Sequence, residues 1–190
     1  PKRLRGFTDT VITMVILISL TITLVFEIFK GPIVKLFAMG FEGEVLDIAV
    51  SLAQVIILSL VFIGVYFILQ GFLQIHGSYF AVGMVSVPLN ICVIASMFLS
   101  EQYGQGILGW GVVAGYFSSF LMLYLASKRH RFSYRPSFQF DTPEIRRLLV
   151  VVIPIFLGKA ITELNTMIDR TIASLLPEGS VSALSYGNRV

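Results

Sequence analysis

Leu148–Leu176 reads LLVVVIPIFLGKAITELNTMIDRTIASLL. It is long enough to cross a bilayer, which takes about 20 apolar residues in a helix. Yet it carries Lys159, Glu163, Asp169 and Arg170. Charge inside a membrane span is costly, so it faces a wet cavity or a substrate path rather than lipid. At about 100° per residue, Lys159, Glu163, Thr166 and Arg170 fall within roughly 60° of one another on a helix. The remaining faces are mostly Ile, Leu, Val, Met and Ala. A membrane helix with one charged stripe points to a transporter rather than a passive anchor.

Composition extends this reading to the whole chain. Hydrophobic residues make up 56% and charged residues 13%, with a mean hydropathy of +0.86. Soluble domains are about half apolar and a quarter charged, so these values place the protein in a membrane. Long apolar segments occupy Val11–Phe29, Ile48–Leu73, Phe80–Leu99, Ile107–Ala126 and Leu148–Leu176. The expected fold is an all-α polytopic transmembrane bundle, with five complete spans and the start of a sixth near Val181. The chain opens on Pro1, without an initiator Met, and is read as an internal fragment of a larger polytopic protein. Its basic start followed by an apolar run resembles a signal peptide only superficially, because the run is too long and no small-residue cleavage site follows. The single Cys92 excludes an intrachain disulfide and a Cys-cluster metal site.

Basic residues set the orientation. Lys2, Arg3 and Arg5 precede the first span; Lys128, Arg129, Arg131, Arg135, Arg146 and Arg147 lie between the fourth and fifth. If the spans alternate, these nine share one side, and the other receives only Lys30 and Lys35 beside Glu42, Glu44, Glu101 and Glu178. The positive-inside rule then places the N-terminus and the 127–147 loop in the cytoplasm. The net charge of +3 therefore needs no nucleic acid to explain it; a basic juxtamembrane loop rests on anionic membrane lipid.

That loop, SKRHRFSYRPSFQFDTPEIRR, is the longest polar stretch and reads as the linker. Phe132, Tyr134, Phe138 and Phe140 are expected at the membrane interface. Asp141 or Thr142 reads as a helix cap, with Pro143 in the first turn and Glu144 after it. Glu27 and Asp47 read as solvated residues at outer span ends, and His76 as a solvated turn residue. Pro88 and Asn90 are expected to kink the third span, with the amide satisfied locally. Gly111 and Gly115 form a GxxxG pair whose expected use is helix packing. No Ser/His/Asp set, metal-ligand spacing or phosphate-cradling Gly-Lys motif is present, which argues against an enzyme.

Further residues carry a family resemblance. PIFLG from Pro154, Asn165, Asp169, ASLLPEGSVSAL from Ala173 to Leu184 and SYGNRV ending at Val190 resemble the MurJ/MviN family of lipid II flippases. That family belongs to the multidrug/oligosaccharidyl-lipid/polysaccharide exporter superfamily. PIVKLFAMGF (Pro32–Phe41), GFLQIHGSYFAVGMVSVPLN (Gly71–Asn90) and ILGWGVVAG (Ile107–Gly115) are similar to its third helix end, its turn between helices four and five, and its sixth helix.

The resemblance implies a two-lobe exporter. Residues 1–126 would be the last four helices of the first lobe, 127–147 the cytoplasmic interlobe linker, and 148–190 the start of the second lobe. It implies transport of lipid II, the undecaprenyl-diphosphate-linked peptidoglycan precursor, across the bacterial cytoplasmic membrane, in the service of cell-wall biogenesis and cell shape. Cell-wall synthesis machinery is an implied partner. Arg189 is implied as a cavity residue; a guanidinium there would grip a diphosphate in bidentate fashion. Asn188 stands where the family often has an acidic residue. Arg170 and Lys159 add positive potential to the expected cavity, and Glu163 lies at the ion-pair spacing from Lys159. Asp169 matches an acidic family position, which implies a part in Na⁺ or proton coupling; one hard oxygen ligand is not a complete site. No cofactor is implied. Competing readings are another polysaccharide-lipid flippase or drug exporter, a polyprenyl-phosphate glycosyl- or phosphotransferase, and a scaffold of the division machinery.

The charge partition predicts that Gly43→Cys reacts with an impermeant thiol reagent on intact cells, whereas Ser133→Cys reacts only after permeabilisation. Labelling of Ser133→Cys in intact cells with Gly43→Cys protected would reverse the orientation.

Overall fold

The structure is a computed structural model and describes residues 2–174. The described residues form seven helices and no strand: α1 (Lys2–Phe37), α2 (Gly43–Ile56), α3 (Ser59–Ile75), α4 (Tyr79–Gly83), α5 (Ser86–Tyr103), α6 (Gly106–Arg129) and α7 (Pro143–Ser174). Four helices are long and apolar enough to cross a membrane, or five spans if the bent pair α2 and α3 is counted as one. Each expected apolar segment falls on one of these. The region expected to start a further span near Val181 lies outside the described residues.

The spans are less regular than hydropathy implies. α1 leaves helical geometry at Phe29 (φ −112°, ψ 19°) and then continues to Phe37. Pro32 supplies the cause. It has no N–H for the Ile28 carbonyl, and its ring crowds that turn. The second apolar segment is two helices bent by 42°. At the break the Leu58 N–H bonds Val55 O at 3.2 Å and the Leu60 N–H bonds Ile57 O at 3.0 Å, a tight three-residue ladder. The buried Ser59 hydroxyl donates to Ile56 O at 2.6 Å and so caps a carbonyl at the break.

The third apolar segment breaks at Met84–Val85, ahead of Pro88 rather than at it. The carbonyl that Pro88 cannot serve, Met84 O, takes the Val87 N–H at 3.1 Å instead. Ser119 of α6 donates to Val85 O at 2.9 Å. Asn90 donates its amide to Ser86 O at 2.9 Å, the local satisfaction expected of it.

Two compact units form, one from Pro1–Ile28 and Ser51–Phe140, the other from Phe29–Val50 and Asp141–Val190. In the first, Leu69, Leu73 and Leu123 are fully buried, with Val65, Phe72, Phe120 and Phe132 packed around them. α5 meets α6 along small residues. A Cβ on Gly111 would collide with Ser96, and one on Gly115 would come within 3.1 Å of the Leu89 Cα. The GxxxG pair therefore packs helices, as expected.

α3 and α6 both end in Schellman motifs. In α3 the Ser78 N–H reaches Leu73 O at 2.9 Å and the Gly77 N–H reaches Gln74 O at 3.0 Å, with Gly77 at φ 74°. In α6 the Phe132 N–H reaches Ser127 O at 3.2 Å and the Arg131 N–H reaches Lys128 O at 3.0 Å. Here Arg131 occupies the left-handed position at φ 57°. A side chain there costs about 1 kcal/mol relative to glycine. The turn swings residues 132–137 back onto α1 as an extended strap. Tyr134 Oη lies 3.0 Å from Thr13 Oγ1, the Ser137 N–H donates to the same Thr13 oxygen at 3.2 Å, and Thr10 donates to Ser137 Oγ at 2.9 Å.

The four linker aromatics divide into two pairs. Phe132 joins the core, its ring 5.1 Å from that of Phe72, and Tyr134 is tied to α1. Phe138 and Phe140 remain exposed and stack edge to face at 6.0 Å.

The start of α7 is also settled. Thr142 is the cap, its hydroxyl accepting the Ile145 N–H at 3.4 Å, and Pro143 is the first helical residue. Asp141 instead pairs with Arg146, which donates from Nε at 3.0 Å and Nη2 at 2.7 Å.

Candidate functional site

Within the second unit, α7 carries the charged stripe. At 1.5 Å per residue, Lys159 lies about 24 Å along the axis from Pro143, near the middle of the helix. Thr162 and Thr166 bond back to the Gly158 and Thr162 carbonyls at 3.3 and 3.2 Å, so their hydroxyls need no outside partner. Farther along, the buried Thr171 hydroxyl donates to Phe37 O at 3.3 Å. That carbonyl belongs to the last turn of α1, where no intrahelical N–H is available. The contact joins α7 to the end of α1.

Between them lies a groove of about 600 Å³, lined by Phe37, Phe156, Lys159, Glu163, Thr166 and Met167 among others. Lys159 Nζ and Glu163 Oε1 are 3.4 Å apart. Their side chains are 72% and 66% exposed. An exposed pair of this spacing contributes only about 0.3–0.5 kcal/mol in water. In hydrocarbon the same exposure would be prohibitive, so this face needs water or further protein over it. The groove combines a paired cation and anion, a threonine and apolar walls. It is suited to an amphiphile more than to a bare ion, and it lies in the volume range of small-molecule pockets, about 300–1,000 Å³.

Of the sequence-predicted residues, the structure brings Lys159 and Glu163 together on this groove with Thr166. Asp169 is exposed on α7 and is not part of the groove lining. Arg170 belongs to α7, but its side chain is outside the described ones, and Arg189 lies outside the described residues altogether. Among the described residues no three His, Cys, Asp or Glu side chains gather as a metal site.

The sequence reading missed the polar inner face of α1. Thr10, Thr13, Ser19 and Thr23 are buried while Leu17, Ile18, Leu20, Ile22 and Leu24 are exposed. Thr23 Oγ1 has no hydrogen-bond partner among the described residues. The signal in the sequence was weak, because the α1 hydroxyls spread over more than half of the helix circumference.

A multi-pass helical membrane bundle with charge held in the middle of a span defines a transporter-like class. The comparisons with known proteins narrow it. A family model described as Lipid II flippase MurJ matches residues 1–190, and the chain belongs to that family. The probable lipid II flippase MurJ of Rhizobium tropici is 27% identical over 195 residues, covering 98% of this chain and 36% of the relative. That of Thermotoga maritima is 28% identical over 187 residues, covering 97% of this chain and 37% of the relative. A solved lipid II flippase MurJ in an inward closed conformation superposes with a TM-score of 0.81 at 25% identity, covering 100% of this chain and 40% of that one. The chain thus spans little more than a third of the relatives it matches.

The geometry predicts that single-cysteine accessibility from Gly158 to Ile172, measured in the full-length protein, peaks with helical period on Lys159, Glu163 and Thr166. A flat, unreactive profile would mean that the groove is closed and dry.

Proposed function

We propose that the chain forms part of a flippase that carries lipid II from the inner to the outer leaflet of the bacterial cytoplasmic membrane. The observation that carries this reading is the charged groove at mid-helix on α7, in a chain matched along its whole length by the lipid II flippase family. Lipid II joins a diphosphate, sugars and peptide to a polyprenyl tail. Its carrier needs a polar, partly cationic cavity beside apolar walls, and the α7 groove offers both. Transport would proceed by alternating access, with two lobes rocking about a central cavity. In this reading 1–126 belong to the first lobe as its last four helices, 127–147 link the lobes, and 148–190 open the second with a further span beginning near Val181. The basic linker and the Thr142 cap that begins a new helix support that division.

The expected role of the protein is transport, not catalysis. Lys159, Glu163 and Arg170 would shape the cavity potential, and Arg189 would contact the diphosphate. Asp169 would supply one hard oxygen to Na⁺, with its remaining ligands on other helices of the full transporter. Among the described residues no three His, Cys, Asp or Glu side chains gather around it. A role beside cell-wall synthesis enzymes follows from the cargo.

The diphosphate role of Arg189 is testable in a flippase-depleted strain. Loss of a charge-assisted contact in a partly desolvated cavity costs on the order of 2–5 kcal/mol. Full-length Arg189→Ala at normal membrane abundance should fail to support growth and lipid II export. Arg189→Lys, which keeps charge without the planar fork, should restore them only in part. Parental export by Arg189→Ala would remove Arg189 from the substrate site.

A further inference from the structure

A second, smaller groove lies in the first unit, with a volume of about 180 Å³. Ile16 of α1, Leu69 of α3, Phe120 and Tyr124 of α6, and Phe132 and Tyr134 of the strap are among its walls. Pockets for drug-sized ligands start near 300 Å³, so this one admits only something slender. Of its lining side chains only the two tyrosines carry a polar atom, and the Tyr134 hydroxyl is already engaged with Thr13. The interior therefore suits hydrocarbon.

Basic residues adjoin its wall-forming segments in the sequence, and one touches its wall. Lys128 Nζ sits 5.0 Å from the centroid of the Tyr124 ring, one of the groove walls. Arg131 and Arg135 bracket the strap aromatics in sequence, and Arg129 precedes the same turn. All four basic side chains are exposed, and none forms an ion pair among the described residues. Arg131 also holds its charge at a left-handed position that glycine would occupy at less cost. A backbone outlier of this kind is a reason to look for a function in the side chain it retains.

We propose that this is a binding site for one anionic phospholipid, with the end of an acyl chain in the groove and the headgroup phosphate on Lys128, Arg129, Arg131 and Arg135. Charge complementarity selects the headgroup and the slender apolar slot selects the chain; a free phosphate would use only the first. The strap makes the site conditional. Tyr134 stays in the wall while Thr10 and Thr13 hold the strap to α1, and Phe132 is held by the core. The site is separate in its residues from the α7 groove and concerns a resident lipid rather than the cargo.

The test is native mass spectrometry of the full-length protein in detergent, titrated with dioleoyl-phosphatidylglycerol and, as a neutral control, dioleoyl-phosphatidylcholine. Phosphatidylglycerol should be retained preferentially. Arg131→Gly should leave the thermal midpoint unchanged or higher, because the turn is relieved, yet weaken phosphatidylglycerol about fivefold, the worth of one basic residue at an anionic surface. Lys128→Gln with Arg129→Gln and Arg135→Gln should weaken it by more than about tenfold on the same scale. Ile16→Trp, which fills the slot, should lower retention of the dioleoyl lipid and spare a dihexanoyl one. Equal retention of the two lipids, displacement of phosphatidylglycerol by millimolar inorganic phosphate, or unaltered binding to Arg131→Gly would overturn the proposal.

Discussion

In the hydrocarbon of a bilayer no water is at hand for an unpaired carbonyl or amide, and each one left bare costs several kcal/mol. This constraint accounts for how the chain is built at most of the places where its helices deviate. At the bend between α2 and α3 the Ser59 hydroxyl caps Ile56 O. At the break before α5, Val87 and Ser119 take up the Met84 and Val85 carbonyls. The ends of α3 and α6 close on themselves in Schellman turns, and the last turn of α1 finds Thr171. Ser59, Ser119 and Thr171 thus repair the backbone. Lys159 and Glu163 differ from them in carrying charge and in pairing with each other.

Those two residues were legible in the sequence because charge in an apolar run is rare and the helical period places them on one face. The apolar segments were legible for the same reason: span length is set by the membrane, not by the fold. What lies between was harder to see. The bend at Ile57–Leu58 has neither proline nor glycine to announce it, and it depends on a serine hydroxyl that composition counts as only mildly polar. The kink at Phe29 is caused three residues downstream, by Pro32, so the first span outran its expected end. The strap is tertiary. Nothing local to Phe132 or Tyr134 distinguishes an interfacial aromatic from one folded back onto α1; the left-handed turn at Arg131 decides it, and arginine gives no hint of that turn. Arg189, the substrate contact that the family resemblance implies, lies outside the described residues.

The same logic explains why α1 was read too simply. Its hydropathy records how much apolar surface it has, not which way it points. In a membrane the amphipathic rule inverts, with leucines outward to lipid and hydroxyls inward to protein. Thr10 and Thr13 use that inward face to hold the strap, which links the first helix to the wall of the small apolar groove.

A wet groove around Lys159 and Glu163 implies weak coupling between them. A double-mutant cycle on the stability of the full-length protein tests it most directly, with Lys159→Met, Glu163→Met and the pair measured by denaturant unfolding in detergent. A solvated pair couples by no more than about 1 kcal/mol, and each single variant folds nearly as well as the parent. That is the predicted result. A single-variant loss of about 3–5 kcal/mol, recovered in the double variant, would mean a dry, buried ion pair and no wet groove.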